Sequence, residues 1–506
     1  MSHQDPPHIA ILVDNFIEGD SRVQKTAASM AERGWKVTLV GRRRKDAGPL
    51  RRMVADLPAI TVFVRGDAAS PKQVDRPTWY RSPLAYGSAR KQVHRVAMSE
   101  AEIVARRFDI DRAKVEGRDS GPRRYWLRGR MLVANQRHEL AVRRAAAADS
   151  LRERRRLRTG KVDQAAMAWW RTVRRDAAWE QLDPGIWDWE LAYGPVVDRL
   201  QPDLIHANDH RMLAVAARAA ARAAADGREV KVVWDAHELL EGLETAPTTP
   251  RSWMPAQVAL ERQHARYADA VVTVSEKLAE ILQESHHLPE LPVVVRNAPV
   301  TATVREPEIG LREAVGLDAD TPVLVYSGSL SRERSVDTIV RALPQVPGIH
   351  FVMVVGSPEH PLVVEVLDLA RELGVADRVH TAPYVPVESI VPYLAGADVG
   401  VHPILHGPNT EIALPTKFYE YSQSRLPVVV SDVKVMAETV RSTGMGEVFV
   451  AGDPDDLARA LNAVFAAPAT YREAMDAELL AAWTWERQAE ILHDVYVGLL
   501  GRGPQQ

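Results

Sequence analysis

The chain has 506 residues, 46% of them apolar and 26% charged, with a formal net charge of −3. These values fit a folded protein of two or three domains, each able to bury a core, and the small negative charge offers no general affinity for nucleic acid. With no cysteine, disulfides, thiolate metal sites and cysteine nucleophiles are excluded; no leader-like segment and no membrane-length apolar run is seen, so the chain reads as cytoplasmic.

Residues 8–13 (HIAILV) form an apolar run that breaks at Asp14-Asn15-Phe16-Ile17-Glu18-Gly19-Asp20, predicting a strand and a polar loop. Val23, Ala27 and Met30 then recur at helical spacing as far as Gly34, a helix-ending glycine, and 35–40 reads as a second strand. This βαβ opening lacks the G-x-G-x-x-G turn, which argues against a nicotinamide or flavin held in the usual way. No cofactor is expected. Residues 60–64 read as a third strand.

From about residue 81 to 182 the strand-like runs give way to alanine- and arginine-rich segments, with 25 Lys and Arg against 12 Asp and Glu. Arg123-Arg124, Arg174-Arg175 and the run RERRRLR at 152–158 are the dense points, with Trp169, Trp170, Trp179, Trp187 and Trp189 in or after them. A basic helical insert with tryptophan suits anionic lipid, RNA or an acidic acceptor. It equally suits a solvated helical excursion whose tryptophans pack on the domain beneath. Among outside partners, an anionic membrane at the inner face of the plasma membrane is the expectation, and nucleic acid is not.

Alternation resumes at Pro202. Residues 203–209 (DLIHAND) read as a strand ending in polar residues, 211–225 as an alanine-rich helix, and 230–234 as a strand followed by Asp235-Ala236-His237-Glu238. Open parallel sheets deliver functional groups at the C-terminal ends of their strands, so His206, Asp209, His210, His237 and Glu238 are candidates. Each is equally open to the plainer reading of a satisfied loop residue. Without cysteine or an H-E-x-x-H spacing, no metal site is expected. Strands at 268–274 and 292–295 complete this half, and 300–322 reads as a connection holding one short helix.

The second half repeats the plan. Strand 323–326 ends in Ser327-Gly328-Ser329-Leu330, a small-residue turn that a ligand can approach closely, and Ser331-Arg332-Glu333-Arg334 follow. Helices at 336–343 and 363–373 and strands at 350–355, 378–381 and 397–402 come next. In NTEIALPTKFYEYSQSRLPVVVSD (409–432), Pro415 suits the start of a helix, and 426–430 is a buried-strand pattern. The helix N-terminus and Lys417 suit an anionic group such as a diphosphate, and Glu420, one turn on, suits sugar hydroxyls. Both charges are equally readable as ordinary solvated helix residues. Residues 471–500 read as one long helical pattern. The fold expected is α/β: two Rossmann-like doubly wound domains, 1–299 and 300–470, facing across a cleft, with a basic helical insert at about 81–182 and a 471–506 tail crossing back.

The chain resembles the family 4 glycosyltransferases, retaining enzymes of the two-Rossmann-domain GT-B fold. The likeness rests on Asp20-Ser21-Arg22-Val23, His206-Ala207-Asn208-Asp209, Asp235-Ala236-His237-Glu238, Val274-Ser275-Glu276 and Asn297 in the first half. In the second half it rests on Gly328 through Arg334, Gly356, Ala397-Asp398-Val399, Pro415 through Tyr421, and Trp485-Glu486. The resemblance implies a metal-independent transfer from a nucleoside-diphosphate sugar to a saccharide, lipid-linked or small-molecule acceptor, in cell-envelope, exopolysaccharide or glycoconjugate assembly. Arg334 and Lys417, with amides near Gly328, Ser329 and Thr416, would hold the diphosphate; Glu420 would accept the ribose hydroxyls; His237 would lie against the donor sugar. Asn15, Asp20, Arg22, His206 and Asp209 would form the acceptor-side loops. The chain departs from the pattern at Ser329, where a basic residue is common, and at Arg425, where a glycine is. The usual pair of glutamates has seven residues between them; counting back from Glu420 on that spacing lands on Ile412, with Glu411 beside it as the candidate donor-sugar contact. The alternatives are a same-fold epimerase or phosphorylase, and a non-catalytic protein that binds membrane or RNA through the insert.

Overall fold

The structure, a computed structural model, describes residues 6–44, 50–66, 68, 86, 89–148, 161–245 and 249–504. The arginine run at 152–158 lies outside the described residues. The chain divides into two compact units: residues 1–272, 281–293 and 493–506 form one, and residues 273–280 and 294–492 the other.

The first sheet contains β1 (His8–Leu12), β2 (Lys36–Arg42), β3 (Leu50–Val54), β4 (Leu57–Val62), β5 (Leu204–Asn208), β6 (Lys231–Ala236), β7 (Ala270–Thr273) and β8 (Val293–Val294). Their order is β3-β4-β2-β1-β5-β6-β7-β8. β1 is parallel to β2 and β5, and all five of its residues are buried, as a strand covered on both faces requires. The order reverses between β1 and β5, so the turns carrying Asp14 and Asp209 leave the sheet at the point where open α/β sheets place their ligands. The third strand differs from the expected 60–64: β4 ends at Val62 and is preceded by β3, which runs antiparallel to it. β3 (LRRMV) exposes Leu50 and Met53, so no apolar run marked it.

The insert begins with helices Ala89–Val115 and Gly121–Ala148, joined by a short turn and packed along each other. Leu127, Ala134 and Ala141, seven residues apart, are the buried positions of the second helix, a seam of mostly small side chains that lets the helices approach. Helix Lys161–Arg174 follows. Trp179 and Trp187 are buried with Leu260 and Ala214, whereas Trp126 and Trp169 are exposed. No helix among the described residues is long and apolar enough to cross a membrane.

The second sheet contains β9 (Val323–Ser327), β10 (His350–Val355), β11 (Val379–Pro383), β12 (Val399–His402), β13 (Val428–Ser431) and β14 (Gly446–Phe449), ordered β11-β10-β9-β12-β13-β14. All its pairings are parallel. Its alternate side chains feed two cores, one built on Leu324, Phe351 and Val401 and the other on Val325, Val354 and Val430. Each large apolar side chain so buried contributes roughly 1.5–3 kcal/mol. Gly400 in β12 lets the Tyr421 ring lie against the strand, since a Cβ there would stand 2.6 Å from it. The reversal falls between β9 and β12, so Gly328 and His402 stand at this sheet's ligand-accepting edge.

The tail is not the single helix that its apolar spacing predicts. It breaks into helices Pro468–Glu473, Ala477–Ala482 and Trp485–Leu500. The Asp476 carboxylate accepts the Leu479 amide at 2.7 Å and the Thr484 hydroxyl accepts that of Arg487 at 3.3 Å. Two local caps thus restart the chain within one continuous pattern. Within the second unit Glu486 accepts from the amides of Thr301 and Ala302. The final turns belong to the first unit, where Trp35 Nε1 donates to His493 Nδ1 at 3.0 Å.

Candidate active site

In the second unit the site begins with the turn after β9. Gly328 has φ +123°, a conformation that side chains rarely adopt. A Cβ there would stand 3.1 Å from Lys417 Nζ and 3.9 Å from an Arg334 terminal nitrogen. The missing side chain is what lets both cations come up to the turn. Arg334 donates to the carbonyl and the hydroxyl of Ser329, and the Tyr326 hydroxyl donates to the same carbonyl at 2.9 Å. Ser329 therefore orients the guanidinium at the position where a basic residue was expected.

Lys417 is the second residue of helix Thr416–Gln423, which Pro415 opens without a side-chain cap. The Nζ is buried, has no hydrogen-bond partner, and lies 3.8 Å from the centroid of the Tyr326 ring. Burial and the charge of Arg334 hold its pKa well below the usual lysine range, with Glu420 opposing them. Burial pushes the Tyr326 phenol up to about 12, against the pull of Arg334. Asn297 Nδ2 donates to Thr416 Oγ1 at 2.9 Å, fixing the first residue of the helix. A buried, unsatisfied cation beside a helix N-terminus is a site prepared for an anion.

His402 ends β12 beneath this turn, stacked on Tyr326 with ring centroids 6.3 Å apart. Both of its ring nitrogens are buried without partners, and burial, Lys417 and Arg334 keep the ring neutral. Sequence reading passed over it and over Tyr326. The signal was present, because His402 is a polar residue at the C-terminal end of a buried strand, the criterion that selected His206 and His237.

Glu411, the expected sugar contact, is held by two bonds within the unit. Its carboxylate meets His406 at 2.5 Å and accepts the Lys434 amide at 2.6 Å. His406 also lies 3.0 Å from Asp432, and these bonds raise its pKa, Glu411 first. Glu411 ties the loop before Pro415 to the helix after β13. Ile412 is buried, with its carbonyl accepting from Ser275.

In the first unit His237 directly follows β6, its Nε2 3.4 Å from Asp209 Oδ1 and its Nδ1 buried without a partner. Asp209 opens helix Asp209–Ala225 at φ +65°, a strained conformation for a residue with a side chain. Burial raises the Asp209 carboxyl to about 7, against the attraction of His237. Burial alone would lower His237, but the charges of Asp209 and Asp235 outweigh it and raise the imidazole. Together the two hold a proton near neutral pH. Beside them a cavity of about 200 Å³ is lined by Asp14, Asp209, Arg211, Glu238 and Trp253 among others. Arg211 pairs with Asp14 at 2.5 Å. His210, also on its wall, is bonded to Gln257 at 2.9 Å and pushed down to about 3 by burial.

Two expected loop candidates are structural instead. Arg22 lies in helix Ser21–Glu32, where it donates twice to Asp235 at 2.8 and 2.9 Å. His206 is the third residue of β5 and fully buried, its Nε2 3.3 Å from Asp235 and its Nδ1 2.8 Å from the Tyr496 hydroxyl. Burial would raise Asp235; Arg22 and His206 outweigh it and hold the carboxyl far below its usual range. Asn15 and Asp20 shape the loop: Asp20 caps helix Ser21–Glu32 through the Val23 amide and accepts from Asn15 Nδ2 at 2.7 Å.

Two protein-family models match the chain: Glycosyl transferases group 1 over residues 321–467 and Glycosyltransferase Family 4 over 129–300. The chain belongs to the family 4, group 1 glycosyltransferases. It is 27% identical over 269 residues to the D-inositol 3-phosphate glycosyltransferase of Mycolicibacterium gilvum, covering 51% of this chain and 59% of that one. It is 26% identical over 282 residues to the alpha-maltose-1-phosphate synthase of Mycolicibacterium smegmatis, covering 52% and 69%. The match thus spans less than two thirds of the M. gilvum relative. Among solved structures, sucrose-phosphate synthase from Thermosynechococcus elongatus superposes with a TM-score of 0.61 at 15% identity, covering 98% of this chain and 99% of that one. Anabaena HepE in complex with UDP and glucose gives 0.57 at 14% identity, covering 97% and 100%. These likenesses establish the GT-B fold.

Proposed function

We propose that the protein transfers a glycosyl group from a nucleoside-diphosphate sugar to an acceptor, with retention at the anomeric carbon. The observation that supports this most is the buried Lys417 ammonium, unpartnered beside Arg334 and the side-chain-free Gly328. As the glycosidic bond breaks, negative charge grows on the departing diphosphate, and preorganised cations at that position stabilise the transition state. Arg334, the amides at Ser329 and Thr416, and Lys417 take the phosphates; Glu420 takes the ribose hydroxyls. In the first unit, His237 and Asp209 hold a proton close to neutral pH. Retention follows when the acceptor oxygen bonds the anomeric carbon from the face the diphosphate leaves and gives its proton to a departing phosphate oxygen. Two fixed cations serve where a divalent ion otherwise would, so the reaction proceeds without one. The acceptor is a saccharide, lipid-linked or small hydroxyl compound of envelope or glycoconjugate assembly.

The test is turnover with a panel of nucleotide sugars, reading the anomeric configuration of the product by NMR with and without chelator. An α-linked product from an α-donor, unaffected by chelator, is expected. An inverted product, or loss of turnover restored by a divalent metal, refutes the mechanism; absence of transfer from every donor refutes the function.

A further inference from the structure

The insert exposes apolar surface out of proportion to its size. Ten of the 21 large apolar side chains exposed among the described residues lie on its three helices. Tyr125 is 77% exposed, Trp126 58% and Trp169 62%. In helix Gly121–Ala148 the exposed Trp126, Val133 and Leu140 recur every seven residues, beside the buried seam of Leu127, Ala134 and Ala141. Arg123, Arg130, Arg137 and Arg144 recur in the same register. Seven-residue spacing keeps each set on one stripe of the helix, so an apolar stripe and an arginine stripe run side by side along it.

Next to these stripes is a cavity of about 330 Å³ lined by Arg106, Arg112, Arg130, Arg174 and Arg218 against two carboxylates, Asp109 and Glu180. Arg218 is committed to Glu190 at 3.5 Å and lies over the Trp187 ring. Arg106 and Arg130 share Asp109, at 2.8 and 3.8 Å, so the cavity holds more positive than negative charge. Burial, followed by the charge of Arg106, lowers the pKa of Arg130, as expected of a cation short of anions. Arg130 also lies over the Trp126 ring at 4.5 Å. Val173, exposed, lines the cavity one turn beyond Trp169 on helix Lys161–Arg174. An exposed indole therefore stands one helical turn from the cavity lining on each of two helices.

We propose that this face docks on bilayers containing anionic phospholipid, with Trp126 and Trp169 entering the interfacial region and the arginine cavity receiving a headgroup phosphate. Indoles favour that region, and basic side chains beside them are attracted to an anionic surface. RNA would leave the aliphatic Leu132, Val133, Leu140 and Val142 without a match, because RNA is bound through phosphates, hydroxyls and base faces. A second copy meeting this face about a two-fold axis would set one arginine stripe against another. The inference rests on the insert and holds whatever reaction the two α/β units perform.

The full chain is tested by co-sedimentation with vesicles of phosphatidylcholine alone and of equimolar phosphatidylcholine and phosphatidylglycerol. Binding to the anionic vesicles only, weakened by salt, is expected. Trp126→Ser with Trp169→Ser lowers it by about tenfold or more, and Arg130→Gln by about fivefold. All three positions are at least partly exposed, so thermal unfolding of the variants stays as in the parent. Equal binding to both vesicle types, or parental binding by the double variant, overturns the proposal. So does release from vesicles by millimolar glycerol 3-phosphate, which would mark a site for a soluble phosphate. Light scattering that shows a dimer dispersed by Trp126→Ser would assign the face to a second copy and overturn it as well.

Discussion

Lys417→Met separates stability from function, because the two should move in opposite directions. The ammonium is buried with no hydrogen-bond partner, and a polar group left so costs about 1–3 kcal/mol. The Tyr326 ring, 3.8 Å away, returns part of that, about 0.5–2 kcal/mol. Methionine keeps the length and the packing while removing the charge, so the ligand-free variant should be more stable by about 1 kcal/mol, a rise of about 2–4 °C for a unit of this size. The pH dependence has a definite sign. Because folding lowers this lysine's pKa, the unfolded chain binds more protons between the folded value and its own value of about 10.4, and the parent gains stability as pH rises through that window. The advantage of the variant should therefore shrink as pH rises from neutral toward about 10. Scanning calorimetry across that range reads both effects. A variant that melts below the parent at neutral pH, or a gap that does not narrow, would mean that the ammonium is already satisfied and that the site is not prepared for an anion.

Gly328→Ala forces a Cβ to within 3.1 Å of Lys417 Nζ at φ +123°; it should cost about 1–3 kcal/mol of stability and raise the donor KM, read by urea unfolding and initial rates. Asp209→Asn removes a carboxyl that folding raises to about 7. Such a group favours the fold fully below about pH 4 and loses that contribution as pH rises toward 7, so the variant should be less sensitive to pH over this window. The inflection near pH 7 in its kcat/KM profile should shift or vanish. Arg22→Ala leaves Asp235 buried without its cation and should cost about 3–5 kcal/mol, while Arg22→Met with Asp235→Leu recovers most of that, both measured by urea unfolding.

Much of this was legible in the chain because buried parallel strands announce themselves. VLVYS, LIHAN and KVVWDA are largely apolar runs with polar residues at their C-terminal ends, and the turns after them carry Gly328, Asp209 and His237. Lys417 and Glu420 were visible because Pro415 marks the start of a helix. Periodicity could not say which polar groups pair inside one unit. Arg22 and Asp235 are 213 residues apart, so both looked like solvent-facing loop groups until the fold joined them. His206 reads as a group at the strand's end, but it is the third of the five residues of β5, which carries it into the core. Glu411 sits beside the expected glutamate position, yet the two bonds that occupy it come from His406 and Lys434, which no spacing rule relates to it. The tail was over-read because an apolar pattern survives a cap, even where Asp476 and Thr484 announced one. The insert yielded its composition but not its division of labour: Trp179 and Trp187 pack inward and Trp126 and Trp169 do not, a difference that depends on which side of each helix the rest of the unit covers.

The most direct measurement is calorimetric titration of the parent and Lys417→Met with a nucleoside diphosphate and with its parent nucleoside. If the diphosphate rests on Arg334, Lys417 and the Gly328 turn, the variant loses about 10- to 150-fold in affinity for the diphosphate, the worth of a hydrogen bond to a charged group, and keeps its affinity for the nucleoside. Equal affinity of parent and variant for the diphosphate, or a matching loss for the nucleoside, would contradict that placement.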